Sequence, residues 1–342
     1  MQKEERKDLV EEFLHRKDFA SRYNIYKEID ADAAFSRFEK RVGLKYNTWH
    51  NKSIVRWTLG VAASVAACVM IGFAVYNLRT DETVTDDFIV GITPGYGHAI
   101  LTTADGSRVT LTGEGALLDT ISAVQANGQS ADNLPMIVEV PRGGEFRITL
   151  SDGTRVHLNS ESSIEFPRVF SGNMRSVKLR GEACFDVAHM DNCPFVVDAH
   201  DVKVKEYGTQ FNVQAYSHDR VEVTLVEGSI GVVVPFRGES RLTPGRQAVV
   251  CGSDISISDV DVDNVIGWTE GVFRFDNKEL AEIADILSRW YDVRIIVDDS
   301  VSHAHFTGSL ERGGNIVDIL DAISEITGMK YSNDKSTIIL HK

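Results

Sequence analysis

The sequence predicts a multi-domain membrane protein: a short α-helical segment, a single transmembrane helix, an all-β domain and a small C-terminal α+β domain of split β-α-β type. Three observations predict it. The 22 residues from Trp57 to Leu78 carry no charge, enough for a helix to cross a hydrocarbon core of about 30 Å. From Gly91 to about Ile257, β-branched runs alternate with Gly, Asp and Asn turn signals at the roughly 8- to 12-residue spacing of an all-β domain. Beyond Trp268, strands alternate with amphipathic helices. The predicted boundaries are 1–53, 54–78, a linker over 79–90, then 91–262 and 268–342. A chain of 342 residues with 43% apolar side chains has room for two or three cored domains.

Within residues 1–53, Leu9, Val10, Phe13 and Leu14 place four apolar side chains on one face of a charged helix. A second helix follows Asp30 or Asp32 as N-cap, carries Ala34, Phe35, Phe38 and Val42 on one stripe, and stops at Gly43. Two such stripes in about 50 residues make a poor independent core. Leu9, Val10, Phe13, Leu14, Phe35, Phe38 and Val42 are therefore candidate contacts for a partner protein, docked as helix faces in a groove. Packing of the stripes on each other or on a membrane is the competing reading.

The apolar stretch from Ile54 to Tyr76 begins too far from Met1 for a cleaved signal peptide; a buried core helix is the alternative. Lys45, His50, Lys52 and Arg56 precede it, whereas Arg79 is followed by Asp81, Glu82, Asp86 and Asp87. The cationic flank predicts a cytoplasmic N-terminus and an outer C-terminal portion. Residues 1–56 hold 13 Lys and Arg against 10 Asp and Glu, while the whole chain carries a formal −14. So acidic an outer portion argues against direct nucleic-acid contact there.

In the all-β region, GHAILTTADGSRVTL (Gly97 to Leu111) and GEFRITLSDGTRVHL (Gly144 to Leu158) align residue for residue. Each reads as strand, Asp-Gly turn and strand, with Gly106 and Gly153 supplying the positive φ of a tight hairpin. Two copies fall short of a solenoid array, so this is a duplicated hairpin. In the last region, strand Gly271–Asp276 leads to a helix over Lys278–Tyr291, with Asp276 and Glu279 spaced as a capping box and Leu280, Ile283, Ala284 and Leu287 as its buried face. Strands Val293–Asp298 and Ala304–Leu310 follow. A helix capped by Asn315 carries Ile316, Ile319, Leu320, Ile323 and Ile326 and ends at Gly328; strands Lys330–Ser332 and Thr337–Leu340 close one sheet with helices on one face.

The sequence holds no GxSxG elbow, HExxH, Walker loop or strand-to-helix GxGxxG. His303 and His305 share a strand face without a ligand-spaced carboxylate or cysteine, and Glu161 and Glu165 are an acid pair of a kind usually solvated. No enzyme activity, cofactor or metal is therefore expected. Of the cysteines, Cys68 lies in the apolar stretch, and Cys184, Cys193 and Cys251 beyond it. A Cys184–Cys193 bridge and three free thiols both fit that odd number.

LSDGTRVHLNSESSIEFP, GTQFNV, LTPGRQAVV and FRFDNKELAEIADILSRWYDVRIIV followed by HFTGSL together resemble the FecR-type anti-sigma factors of Bacteroides-like bacteria, from about Asp30 to the chain's end. The resemblance implies a cytoplasmic helical segment that holds an extracytoplasmic-function sigma factor at the inner membrane. It also implies a periplasmic all-β FecR domain and a C-terminal domain similar to the short signalling domains of secretins and TonB-dependent transporters. Such a protein works in cell-surface signalling: an outer-membrane TonB-dependent transporter signals to the periplasmic part, and the sigma factor is released or activated for transcription. A membrane-anchored periplasmic binding or sensor module without sigma regulation is the alternative. Three positions depart from the family pattern: His157 and Phe35 stand where Trp is usual, and Cys184 where Tyr is usual.

Overall fold

The structure, a computed structural model, describes residues 87–103, 105–112, 135–206, 208–334 and 336–342. The amphipathic stripes with their seven candidate contacts, and the apolar stretch, lie outside the described residues. Among the described residues no helix is long and apolar enough to cross a membrane.

A single helical turn, α1 (Asp87–Val90), precedes β1 (Tyr96–Thr102), β2 (Arg108–Thr112), β3 (Pro135–Val140), β4 (Gly144–Thr149), β5 (Arg155–Leu158) and β6 (Ser162–Pro167). The echo seen in the sequence is an echo in space. β1–β2 and β4–β5 are both antiparallel hairpins, and the two copies meet side by side where Tyr96 and Gly97 pair in parallel with Gly144 and Glu145. Their turns repeat bond for bond. The Gly106 N–H donates to the Thr103 carbonyl at 2.8 Å and the Gly153 N–H to the Leu150 carbonyl at 3.0 Å. Asp105 and Asp152 each accept the backbone N–H two residues on, and φ is +83° at Gly106 and +88° at Gly153.

β7 (Arg175–Asp186) is the strand around which the β domain is built. Its first half pairs with β6 and, in parallel, with β8 (Phe195–Ala199); its second half pairs with β5 and with β10 (Gln210–Ser217). The order β7, β5, β4, β1, β3, β6 and back to β7 is thus a closed circuit. Partners change at Gly181, where φ is +86° and an added Cβ would lie 2.6 Å from the Ser162 Cα. Only glycine fits that bend. β9 (Val202–Glu206), β12 (Ile230–Val234) and β13 (Gly238–Leu242) extend one side, and β11 (Arg220–Glu227), β14 (Arg246–Cys251) and β15 (Asp254–Asp259) the other.

Alternating residues of these strands fill one core, including Leu158, Ile164, Phe185, Val197, Phe211 and Val223. One charged group is buried at its edge. The Arg175 guanidinium donates to Asp152 at 2.7 Å, to Glu206 at 3.2 Å and to the carbonyls of Ala188 and Cys193, so a buried cation and two carboxylates tie the hairpin turn to the loop after β7. Cys184, Cys193 and Cys251 are free.

A short helix, α2 (Val262–Ile266), and a 3-10 turn (Gly267–Glu270) lead to β16 (Val272–Glu279), α3 (Leu280–Trp290), β17 (Arg294–Val297), β18 (His305–Glu311), α4 (Ile316–Thr327), β19 (Lys330–Asp334) and β20 (Thr337–His341). The elements expected from the sequence are there, but they form two sheets rather than one: β16 pairs with β18, and β17 pairs in parallel with β20, which pairs with β19. The expected capping box is absent. β16 runs on past a bulge so that Glu279 pairs with His305, and Glu279 serves as N-cap with no side-chain bond to the helix. Strand pairing outcompetes the local cap. Asn315 caps α4 through the Val317 N–H and Gly328 ends it at φ +72°. Ile326 is 64% exposed, so the buried stripe stops at Ile323.

Candidate functional site

The chain contains two Arg-Gly-Gly strings, Arg142 to Gly144 and Arg312 to Gly314, and both lie where the β domain meets the C-terminal domain. The first is the β3–β4 turn. Gly143 takes φ +69°, and a Cβ on Gly144 would lie 2.9 Å from His98. That tight turn aims Arg142 at the end of α3. Its guanidinium donates to the Ser288 carbonyl at 2.6 Å, the Ser288 hydroxyl at 3.0 Å and the Val293 carbonyl at 3.3 Å, and forms ion pairs with Asp292 and Glu161. Beside it, the Gly143 N–H donates to the Arg289 carbonyl at 2.8 Å. The Ser288 and Arg289 carbonyls are among the last of α3, beyond the reach of the helix's own N–H ladder.

The second string points the other way. Arg312, 2% exposed, follows β18 and reaches back into the β domain. Its guanidinium donates to Asn159 Oδ1 at 2.9 Å, to the Trp268 carbonyl at 2.7 Å and to Glu145 at 3.3 Å. Its Cζ sits 3.8 Å from the Trp290 ring centroid, with Phe273 and Trp268 further out, a cation within an aromatic enclosure. Burial pulls the guanidinium's pKa down, against the attraction of Glu145 and Glu182. Two arginines therefore clamp one junction from opposite sides. Arg289 of α3 adds a third contact, 4.1 Å over the Tyr216 ring of β10.

Three titratable groups of the β domain face this clamp. Burial pushes Glu145 up, but neighbouring His157 and Arg312 outweigh it and leave the carboxyl below its ordinary value. Burial pushes His157 down, only partly countered by Glu145, whose oxygen is 3.7 Å from Nε2, near enough for attraction and too far for a hydrogen bond. Glu182 is pushed up by burial although Asn159 and Asn212 each donate to one of its oxygens. Above the group opens a cleft of about 450 Å³ lined by Glu182, Tyr216, Trp268, Arg289, Trp290 and Arg312.

Residues 136–231 match the family model described as FecR protein, and residues 272–340 the one described as FecR, C-terminal. A solved structure of a candidate anti-sigma factor from Parabacteroides distasonis, at 1.65 Å, is 30% identical with a TM-score of 0.57; the match covers 60% of this chain and 98% of that one. A second structure from the same organism, at 2.50 Å, matches at 30% identity and TM-score 0.57 over 61% of this chain and 99% of that one. The chain belongs to the FecR-type anti-sigma factors. No curated protein matches it.

Within the FecR domain, the two departures from the family pattern are one local change. His157 and Cys184 are directly opposed on β5 and β7, and the His157 ring packs against Trp268 at 4.6 Å between centroids. A histidine and a cysteine thus lie side by side under an indole from the segment that joins the domains. Cys184 is buried, which pushes its thiol up to about 12, so it is packing and not a nucleophile.

The other residues flagged in the sequence lie apart from this junction or serve it differently. Glu161 pairs with Arg142 and Glu165 with Lys178 at 2.8 Å, so separate cations hold them. His303 and His305 do have a carboxylate beside them: Glu279 lies 3.4 and 3.9 Å from their ring nitrogens, brought in by strand pairing from 26 residues before His305 in the chain. Among the described residues no group of three or more His, Cys, Asp or Glu is arranged to hold a metal ion. Nothing in the sequence marks Arg142, Glu145, Trp268, Trp290 and Arg312 as site residues; the repeated Arg-Gly-Gly string is the available signal. What the site can do is mechanical: its bonds hold two domains in one orientation.

Proposed function

We propose that this chain is a single-pass inner-membrane anti-sigma factor that sequesters an extracytoplasmic-function sigma factor on the cytoplasmic side. A periplasmic signal from a TonB-dependent outer-membrane transporter releases it. The observation that carries the reading is the match, over nearly the whole length of a candidate anti-sigma factor, to the paired domains described above. The uncharged stretch from Trp57 to Leu78, with cations before it and acids after it, supports the membrane placement.

In this reading Leu9, Val10, Phe13, Leu14, Phe35, Phe38 and Val42 bury against the sigma factor. Each such side chain contributes about 1.5 to 3 kcal/mol before the costs of association. The transporter's N-terminal domain engages the C-terminal domain, and by linkage it shifts sigma release only by its differential affinity for the retaining and releasing states. The clamped junction supports this, since a rigid pair of domains passes on a displacement that a loose pair absorbs.

The test is co-purification of the neighbouring sigma factor with the full-length chain and with Phe13→Asp and Phe38→Asp. Retention by the wild type and loss in both variants is expected. Equal recovery from all three overturns the assignment of these stripes.

A further inference from the structure

The sequence predicts a linker over 79–90, yet its described part, residues 87–90, is built into the far end of the chain. Ile89 is 1% exposed and belongs to the core of the C-terminal domain, with Leu280, Leu287, Ile316, Leu320 and Ile338, all of them some 190 to 250 residues later. α1 lies against α4, and Ile92, its N–H donating to the Ile89 carbonyl at 3.2 Å, packs half-buried on the same cluster. Three residues on, Gly95 runs so close to the Trp290 indole that a Cβ there would lie 2.7 Å from the ring. The Tyr96 N–H then donates to the Gly143 carbonyl at 3.1 Å, and β1 begins. The chain therefore crosses the C-terminal domain before entering the β domain, and it touches both halves of the clamp, Trp290 and the first Arg-Gly-Gly turn.

The mode of attachment differs from everything around it. Residues 87–95 take part in no strand pairing among the described residues. Among its described side chains Ile89 is buried, Ile92 and Pro94 are half-buried and Val90 is 49% exposed, and Gly95 makes one close backbone approach. A segment outside the strand ladders is the part of a fold that opens first, ahead of the ladders beside it. Only eight residues of sequence separate Asp87 from Leu78 at the end of the apolar stretch.

We propose that Asp87–Gly95 is a strap whose docking on the C-terminal domain sets the signalling state. With Ile89 seated, the chain that enters the β domain is anchored on the C-terminal domain. A partner that shifts α4 or Trp290 unseats Ile89 and frees residues 87–95, eight residues of sequence beyond Leu78. The docking itself stands independently, while its signalling role rests on the anti-sigma reading.

The experiment is amide hydrogen exchange on the full-length chain in detergent micelles, paired with transcription from a promoter dependent on the cognate sigma factor. Two variants attack opposite ends of the strap: Ile89→Asp removes the anchor, and Gly95→Val drives the backbone off Trp290 with the anchor intact. In the wild type, amides of residues 88–95 exchange at least tenfold more slowly than an unstructured peptide. In both variants this protection falls at least tenfold, peptides over Val196–Val204 are unchanged, and sigma-dependent output moves toward the induced level without inducer. Unprotected amides in the wild type overturn the docking. Loss of protection through Ile319–Ile323 and Ile338 in both variants overturns the strap instead, because Ile89 is then an ordinary core residue that cannot unseat on its own. Opened straps with wild-type output overturn the signalling role, whereas failure of the wild-type chain to retain sigma overturns the anti-sigma reading itself.

Discussion

The guanidinium carbon of Arg312 lies 3.8 Å from the centroid of the Trp290 ring, and the same indole donates its Nε1–H to the Arg312 carbonyl at 2.8 Å. The two residues fix each other, side chain on ring and ring on backbone, and so hold the cation where it can reach Glu145 and Asn159 across the domain boundary. Arg312→Ala leaves Glu145 without its buried partner and the Trp268 carbonyl without its donor. A loss of about 3 to 5 kcal/mol is expected, read by denaturant unfolding of the full-length chain. Arg312→Lys keeps the charge but not the planar fork, and recovers only part of that loss.

Much of the fold was legible because its signals are local. The Asp-Gly turns declared both hairpins, and Asn315 and Gly328 bounded α4 in the sequence as they do in space. The signals that failed were those that depend on a distant partner. Whether Glu279 caps a helix or pairs in a strand is decided by His305, and whether Ile326 is core is decided by how far α4 overlaps its neighbours. The junction was less legible still. Nothing local says that Arg312 will find Glu145, 167 residues before it, or that Ile89 will find a core built from the other end of the chain.

Glu182 sits buried with two amide donors and a raised pKa caused first by burial. Its contribution to stability is present below the unfolded carboxyl value and is lost as pH rises through the folded one. Glu182→Gln removes the buried charge, and a flip of Asn212, whose Oδ1 has no hydrogen-bond partner, restores both bonds. The variant is expected to melt about 2 to 4 °C higher at pH 8, the shift that about 1 kcal/mol gives a domain pair of this size, and to show a flatter rise in stability on acidification. A thermal melt series from pH 5 to 9 reads both.

His157 has the opposite sign. Burial holds its folded pKa below the ordinary value, so below about pH 6.5 the unfolded chain takes up a proton that the folded chain refuses, and stability falls as pH falls. The depressed Glu145 carboxyl adds a second loss at lower pH, within the carboxylate range. In His157→Gln the first loss disappears and the second shrinks, because His157 is the leading cause of the depressed Glu145 value and only Arg312 and Arg147 are left to oppose burial. The difference between the wild-type and variant curves of unfolding free energy against pH isolates the imidazole from the chain's other nine histidines.

Gly181 tests whether β7 must change partners at one point. With φ at +86° and Ser162 backbone 2.6 Å from any Cβ, Gly181→Ala carries both left-handed strain and a clash that no rotamer relieves. A cost of at least about 2 kcal/mol is expected, since a φ-incompatible substitution and an overpacked backbone contact each destabilise by roughly 1 to 3 kcal/mol. Gly313, with open space around its Cβ position, is the control: Gly313→Ala is expected to fall within about 0.5 kcal/mol of wild type.

Arg142 and Arg312 share no hydrogen-bond partner among the described residues, yet each loses its bonds across the boundary when the domains undock. Arg142 is about one-third exposed, and its ion pairs with exposed Asp292 and Glu161 are worth little. Its bonds to the Ser288 and Val293 carbonyls carry the effect, so Arg142→Ala is expected to cost about 1 to 2 kcal/mol. If the junction opens as one event, the first substitution already shifts part of the population to an undocked state in which the second arginine has nothing left to lose. The double variant then falls short of the sum of the single losses by at least about 0.5 kcal/mol, the scale on which coupled sites depart from additivity. Strict additivity in the denaturation cycle would mean that the two arginines act on independent local structure and that the domains do not separate as units.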